Sequence, residues 1–201
     1  MNLSSKLLEN TVEVFATLPG IGKKTALRLA LHLLQTEGTE VTAFCDAIVK
    51  MKTHIRFCTS CHNIADDETC SICLSPKRDK TTICVVESIK EVMAIENTQQ
   101  FNGVYHVLGG VISPIEGVGP NQLNIDSLLD RIEKEQTKEL IMAISPTIEG
   151  ETTIFYISKQ LKESSVKIST IARGVSFGGE LEYADELTLG RSILSRVTYK
   201  K

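Results

Sequence analysis

The sequence predicts an α+β mosaic: helices first, a small cysteine module next, then an α/β domain with a parallel four-stranded sheet and a closing helix. Three observations carry that prediction. Apolar residues recur at helical spacing from Leu8 to Ile55. Four cysteines fall in two Cys-x2-Cys pairs between Cys58 and Cys73. From Thr81 onward, short continuous apolar runs alternate with amphipathic stretches, the pattern of a parallel sheet covered on both faces.

In the first segment, Leu8, Val12 and Phe15 outline one helix, which Leu18-Pro19-Gly20-Ile21-Gly22 interrupts. Ala26, Leu29, Ala30, Leu33 and Leu34 then form a full apolar stripe, and Gly38 is expected to end this second helix. Val41, Phe44, Ile48, Met51 or Lys52, and Ile55 outline a third. The glycine turn is no ATP-binding phosphate loop. That motif needs a glycine at position 17 and Ser or Thr at 24 after a strand; here the residues are Thr17 and Lys24 after a helix. What remains is helix, Pro-Gly-x-Gly turn, helix, with Lys23, Lys24 and Arg28 beside the exposed amides that such a turn creates. Those amides and cations suit a phosphate oxygen, although a tight interhelical turn alone would use the same glycines.

Cys58-x2-Cys61 and Cys70-x2-Cys73 offer four sulfurs, and each two-residue spacer lets one turn present a pair to the same ion. One structural zinc is the expectation; a redox pair or an iron–sulfur cluster uses the same residue type. Four thiolates would leave no open coordination position, so His54 and His62 are expected to be bystanders. Cys45 and Cys84 are expected to be buried free thiols on apolar faces. Residues 76–80 (PKRDK) read as a linker.

In the last segment, strands are expected at 83–86, 104–108, 140–144 and 166–172. Helices are expected at 89–95, 125–132, 152–161 and 186–196, with a Gly/Pro-rich loop over 109–124. Tyr105 and Tyr156 read as packing residues. The domains expected are 1–56, 57–75, 80–175 and 176–201.

Net charge is −3, which argues against a protein that coats DNA by electrostatics alone. Its distribution is uneven. Residues 1–57 carry seven Lys/Arg against five Asp/Glu, whereas residues 81–201 carry twelve against sixteen. Residues 1–10 contain no apolar run of secretory length and no segment reaches a membrane span, so the expected location is the cytoplasm, with no membrane partner.

The helical turn with Gly20, Gly22, Lys23, Lys24 and Arg28 resembles a helix-hairpin-helix, which binds the DNA backbone without reading sequence. Glu87 closes the first long strand, and Ser145-Pro146-Thr147-Ile148-Glu149-Gly150-Glu151 follows the third. This is similar to the Toprim domain, whose active members hold magnesium on a glutamate and an Asp-x-Asp pair. Glu87, Glu149 and Glu151 fit that pattern, but Ser145 and Thr147 occupy the Asp-x-Asp positions. The order of parts, with the runs from Tyr105 to Pro114 and from Leu181 to Gly190, resembles the RecR family of bacterial recombination proteins over the whole chain.

That resemblance implies a non-enzymatic mediator in DNA repair that works with RecO-like and RecF-like proteins to load recombinase at single-stranded gaps. It implies dimers or ring-shaped tetramers, with the hairpin helices and residues 176–201 supplying subunit contacts. The family usually has asparagine at Ser145 and often proline at Ser176, so the acidic site and the carboxyl-terminal loop are expected to depart from the pattern. The competing expectation is a magnesium-dependent nuclease or topoisomerase using Glu87, Glu149 and Glu151; a third is an adaptor whose sheet domain binds only proteins. The zinc module, acidic at Asp66-Asp67-Glu68, is expected to fix the junction between hairpin and sheet domain.

Overall fold

The computed structural model describes residues 4–175, 178 and 180–198. Ser176, where an altered loop is expected, lies outside the described residues. The chain divides into two compact units, Met1–Ile55 and Arg56–Lys201. Among the described residues, no helix is long and apolar enough to cross a membrane.

The first unit is helical. Ser5 caps α1 (Lys6–Ala16) by accepting the Leu8 amide at 3.4 Å. The chain then turns at Leu18–Ile21, closed by the Ile21 amide on the Leu18 carbonyl at 3.1 Å, with Gly20 at φ 79°. A side chain is strained at that angle, which is why glycine stands there. The turn delivers α2 (Lys23–Gln35), and the two helices pack through Val12, Ala26 and Ala30, with Leu8, Phe15, Ile21 and Leu27 around them. The alanines let the helix backbones approach closely. Of the predicted stripe only Ala26 and Ala30 are buried, and Leu34 is 73% exposed. Gly38 does not end α2. Thr36 does, turning extended while its hydroxyl donates to the His32 carbonyl at 3.0 Å. Gly38 instead opens α3 (Gly38–His54), which buries no residue. Cys45 is accordingly exposed, against expectation, because the described residues of its unit bury no side chain of α3.

The second unit begins with a two-stranded antiparallel ribbon, β1 (Arg56–Phe57) and β2 (Ile64–Ala65), followed by the single-turn α4 (Ser71–Leu74). The main sheet follows as β3 (Asp79–Val86), β4 (Gly103–Val107), β5 (Glu139–Ala143) and β6 (Lys167–Thr170). All pairs are parallel, in the order β4-β3-β5-β6. The helices between and after these strands are α5 (Ile89–Thr98), α6 (Ile125–Glu135), α7 (Ile148–Gln160) and α8 (Glu186–Leu194).

Alternation along β3 divides the core. Ile83 and Val85 face one apolar cluster with Leu128 and Ile132 of α6 and Ile157 of α7. Cys84 and Val86 face the other, with Val92 of α5. Both faces are covered there, which is why residues 83–86 read as an unbroken apolar run. α7 starts four residues earlier than its apolar pattern suggests. The Thr147 hydroxyl caps it by accepting the Gly150 amide at 3.1 Å. Gly150 is obligatory there: a Cβ would lie 2.0 Å from the Ser145 carbonyl oxygen.

The expected linker over 76–80 is no linker. Asp79 already belongs to β3, and Arg78 pairs with Glu96 of α5 while donating to the Phe101 and Gly103 carbonyls at 3.2 and 3.3 Å. The charge run resembled a solvated tether because its acceptors lie 18 to 25 residues away. Buried Tyr105 completes the network, its hydroxyl donating to Glu96 at 2.7 Å.

The hydrogen bonds from Arg78 hold the Glu96 carboxyl below the ordinary carboxylate range; burial opposes this and Tyr105 assists. A depressed folded-state value stabilises the fold above the ordinary range, and that stabilisation is lost as pH falls through the depressed value. Urea unfolding followed from about pH 6 to about pH 3 should therefore show stability falling with acid. Glu96→Gln should be less stable than the parent at neutral pH and lose less on acidification.

Candidate metal centre and nucleic-acid interface

The β1–β2 ribbon folds its connection into a knuckle. The Cys58 amide donates to the Asn63 carbonyl at 2.7 Å, the His62 amide returns to the Cys58 carbonyl at 2.9 Å, and His62 turns the chain at φ 60°. This fixes Cys58 and Cys61. Cys70 caps α4 and Cys73 lies within it, so the short helix presents the other pair. All four side chains are buried and their sulfurs lie within 4.8 Å of one another. Cys61 and Cys70 sulfurs are 3.5 Å apart, and the Cys70 amide donates to the Cys58 sulfur at 3.3 Å.

Four sulfurs on a tetrahedron with metal–sulfur bonds of about 2.3 Å would be about 3.8 Å apart, so the donor set fits one closed zinc site. The cluster forms no disulfide. Hydrogen bonds from Cys61 and Cys73 pull the Cys70 thiol toward its ionised form, while the same hydrogen bond pushes Cys61 the other way. Packed this tightly, the four cannot all ionise without a cation among them.

Neither nearby histidine joins the cluster. His54 bonds the Lys50 carbonyl at 3.1 Å and the Thr53 hydroxyl at 2.8 Å. His62 reaches Ser127 of α6 at 2.9 Å and sits edge-on to His106, ring centroids 5.1 Å apart. His106 is fully buried, pushed down to about 3 chiefly by burial and so neutral, with Nε2 on the Asn124 carbonyl at 2.7 Å. Beside it, the Val107 amide of β4 donates to the Cys61 carbonyl at 2.9 Å. Ile72 of α4 packs against both the cysteine cluster and the α5-side core. The knuckle is thus a fixed part of the sheet unit. Sequence patterning carried no signal for these contacts, since backbone carbonyls leave none.

In the helical unit, α2 begins at Gly22 with no side-chain cap and no acidic residue in its first turn. Its leading amides are left for another acceptor. Lys23, Lys24 and Arg28 are exposed around them, and none forms a salt bridge among the described residues. Lys24 and Arg28, one turn apart, border a shallow groove of about 340 Å³ with Thr25, Leu27 and Leu31. The arrangement suits a phosphate oxygen: oriented amides, a helix dipole and exposed cations.

The carboxylates of the sheet unit do not come together in this way. Glu87, just beyond β3, accepts the Ser145 amide and so ties the ends of β3 and β5. Glu151 pairs with Arg173. Glu149 stands two residues before Glu151 on α7, a spacing that does not place side chains face to face. Among the described residues, the four cysteines are the one group of three or more potential ligands placed to hold a metal ion.

Metal analysis of the purified chain should give one zinc per polypeptide. Cys70→Ser should retain much less than one and melt at a lower temperature; a full zinc complement in that variant would contradict the four-sulfur site.

Comparison with known proteins agrees along the chain. The RecR helix-hairpin-helix model matches residues 8–52, and the RecR four-cysteine zinc finger domain model matches residues 55–75. The Toprim domain model matches residues 81–172, and the RecR C-terminal model matches residues 174–197. A recombination protein RecR from Cytophaga hutchinsonii is 57% identical over all of this chain and 98% of its own length. One from Flavobacterium johnsoniae is also 57% identical over the same shares. Another from Porphyromonas gingivalis is 55% identical over 98% of this chain and 95% of its own. The four cysteines hold one structural zinc ion. The chain belongs to the RecR family of recombination proteins.

Proposed function

We propose that this chain is a DNA-binding mediator of recombination and repair that performs no chemistry of its own. The observation that carries the reading is the uncapped start of α2, where the glycine turn leaves backbone amides free beside Lys23, Lys24 and Arg28. A phosphate oxygen accepts from those amides and the cations neutralise its neighbours, so binding is independent of sequence. The carboxylates of a magnesium enzyme give no comparable support: Glu87 and Glu151 are engaged with Ser145 and Arg173.

Self-assembly completes the proposal. Phe44, Ile48, Val49 and Met51 of α3 and Leu187, Ile193 and Leu194 of α8 are all exposed. Apolar faces of that kind on otherwise folded units suit subunit contacts. A ring of two or four copies multiplies weak hairpin contacts into stable retention on DNA. RecO-like and RecF-like proteins are the proposed partners in loading recombinase at single-stranded gaps, and the cytoplasm, where thiols stay reduced for zinc, is the proposed setting.

Replacing Lys23 and Lys24 by alanine tests this. Fluorescence anisotropy over a range of salt should show weaker DNA binding. The salt slope should be shallower by about 1.4 on single strands or about 1.8 on duplex, the amount expected for two lost phosphate contacts. Zinc content should be unchanged. Parent-like affinity and slope would place the DNA surface elsewhere.

A further inference from the structure

A cleft of about 510 Å³ opens at the carboxyl ends of β5 and β6, against α8. In open parallel sheets, ligands gather beyond the carboxyl ends of the strands, beside the point where strand order reverses. With the order β4-β3-β5-β6, that reversal lies between β3 and β5. The cleft takes no residue from β3 and lies on the β5–β6 side of that reversal, with Ser145, two residues beyond β5, on its border.

The lining has a distinct chemistry. Met142 and Leu187 contribute apolar surface, whereas Ser145 and Thr188 offer hydroxyls and Arg173 and Arg191 offer guanidinium groups. Among the described residues, none that lines the cleft is acidic, although residues 81–201 carry sixteen Asp/Glu against twelve Lys/Arg. Arg173 is only partly exposed and is held by Glu151, outside the cleft lining, which fixes where its guanidinium points. Arg191 lies in the last turn of α8 and forms no salt bridge among the described residues. Glu87, at the end of β3, is also outside the lining, and its carboxylate is engaged with the Ser145 amide.

We propose that this cleft binds a phosphate group, through Arg173 and Arg191 with the Ser145 and Thr188 hydroxyls. Planar guanidinium donors match the oxygens of a phosphate, and two such donors with adjacent hydroxyls can hold a dianion. The phosphate comes either from solution or from DNA, where it is a terminal monoester or a backbone diester. The site belongs to the sheet unit and does not depend on the reading given to Lys23 and Lys24.

Arginine modification tests the proposal on the intact, zinc-loaded chain. Phenylglyoxal labelling mapped by mass spectrometry should modify Arg191 and, more slowly, the partly exposed Arg173, and inorganic phosphate should protect both more than Arg28 or Arg196. Arg191→Gln should weaken phosphate binding, read by titration calorimetry, by about tenfold, as expected for one lost charge-assisted contact. Arg191→Lys should lose less. Protection of Arg173 and Arg191 by a 5′-phosphorylated oligonucleotide but not by its 5′-hydroxyl form would assign a terminal monoester. Equal protection by the two would assign the backbone, and protection by inorganic phosphate alone would assign the free ion. The same inorganic-phosphate protection is expected in the Lys23→Ala, Lys24→Ala variant, so loss of hairpin binding leaves this result intact. If phosphate at saturating concentration protects neither arginine in the parent chain, the cleft is not a phosphate site.

Discussion

A single backbone hydrogen bond, from the Val107 amide to the Cys61 carbonyl, joins the metal module to the sheet. β4 is an edge strand, and an unpaired edge is a template for association with other chains. The cysteine knuckle meets that edge. His62 reaches α6 through Ser127, and Ile72 enters the core beside α5. These contacts require the knuckle to keep its shape, and a segment this short and polar has too little apolar surface to do so alone. Zinc supplies the missing cohesion, so metal binding and the integrity of the sheet edge are linked.

The same economy of means appears where the acidic residues stand. Glu87 is placed at the strand end that an acid–metal site would use, yet it ties β5 to β3 through the Ser145 amide. Gly150 lets α7 begin almost in contact with the Ser145 carbonyl. The carboxyl edge of the sheet is therefore braced by hydrogen bonds among neighbours, which leaves arginines as the accessible charged groups of the adjoining cleft. In the helical unit the charges are deployed the other way. Small residues bring α1 and α2 together, and the cations remain exposed beside uncapped amides.

Much of this was legible in the residues themselves, for identifiable reasons. Largely apolar runs revealed β3, β4 and β5 because burial on both faces removes the polar alternation, whereas the edge strand β6 keeps Lys167, Ser169 and Thr170. Paired Cys-x2-Cys spacing revealed the metal site because ligand geometry is local. What escaped depended on distant partners or on backbone groups. Arg78 lies in a charged run that reads as tether, and its role depends on Glu96, Phe101 and Gly103. The ribbon of Arg56–Phe57 with Ile64–Ala65 is too short to leave a period. Cys45 was misread because a helical stripe says that a face is apolar without saying that anything in the chain covers it. The three glutamates fit a pattern in sequence, which is silent on the partners that the structure gives two of them: the Ser145 amide for Glu87 and Arg173 for Glu151.

If zinc holds the edge of the sheet as well as its own knuckle, its removal should release both. Hydrogen exchange by mass spectrometry, before and after zinc is removed from the intact protein by a chelator, measures this directly. Peptides covering Cys58–Leu74 and β4, including the Val107 amide, should lose protection together, while those covering β5 keep most of theirs. If the cysteine segment alone loses protection and β4 exchanges as slowly as before, the knuckle is an appendage and the claim fails.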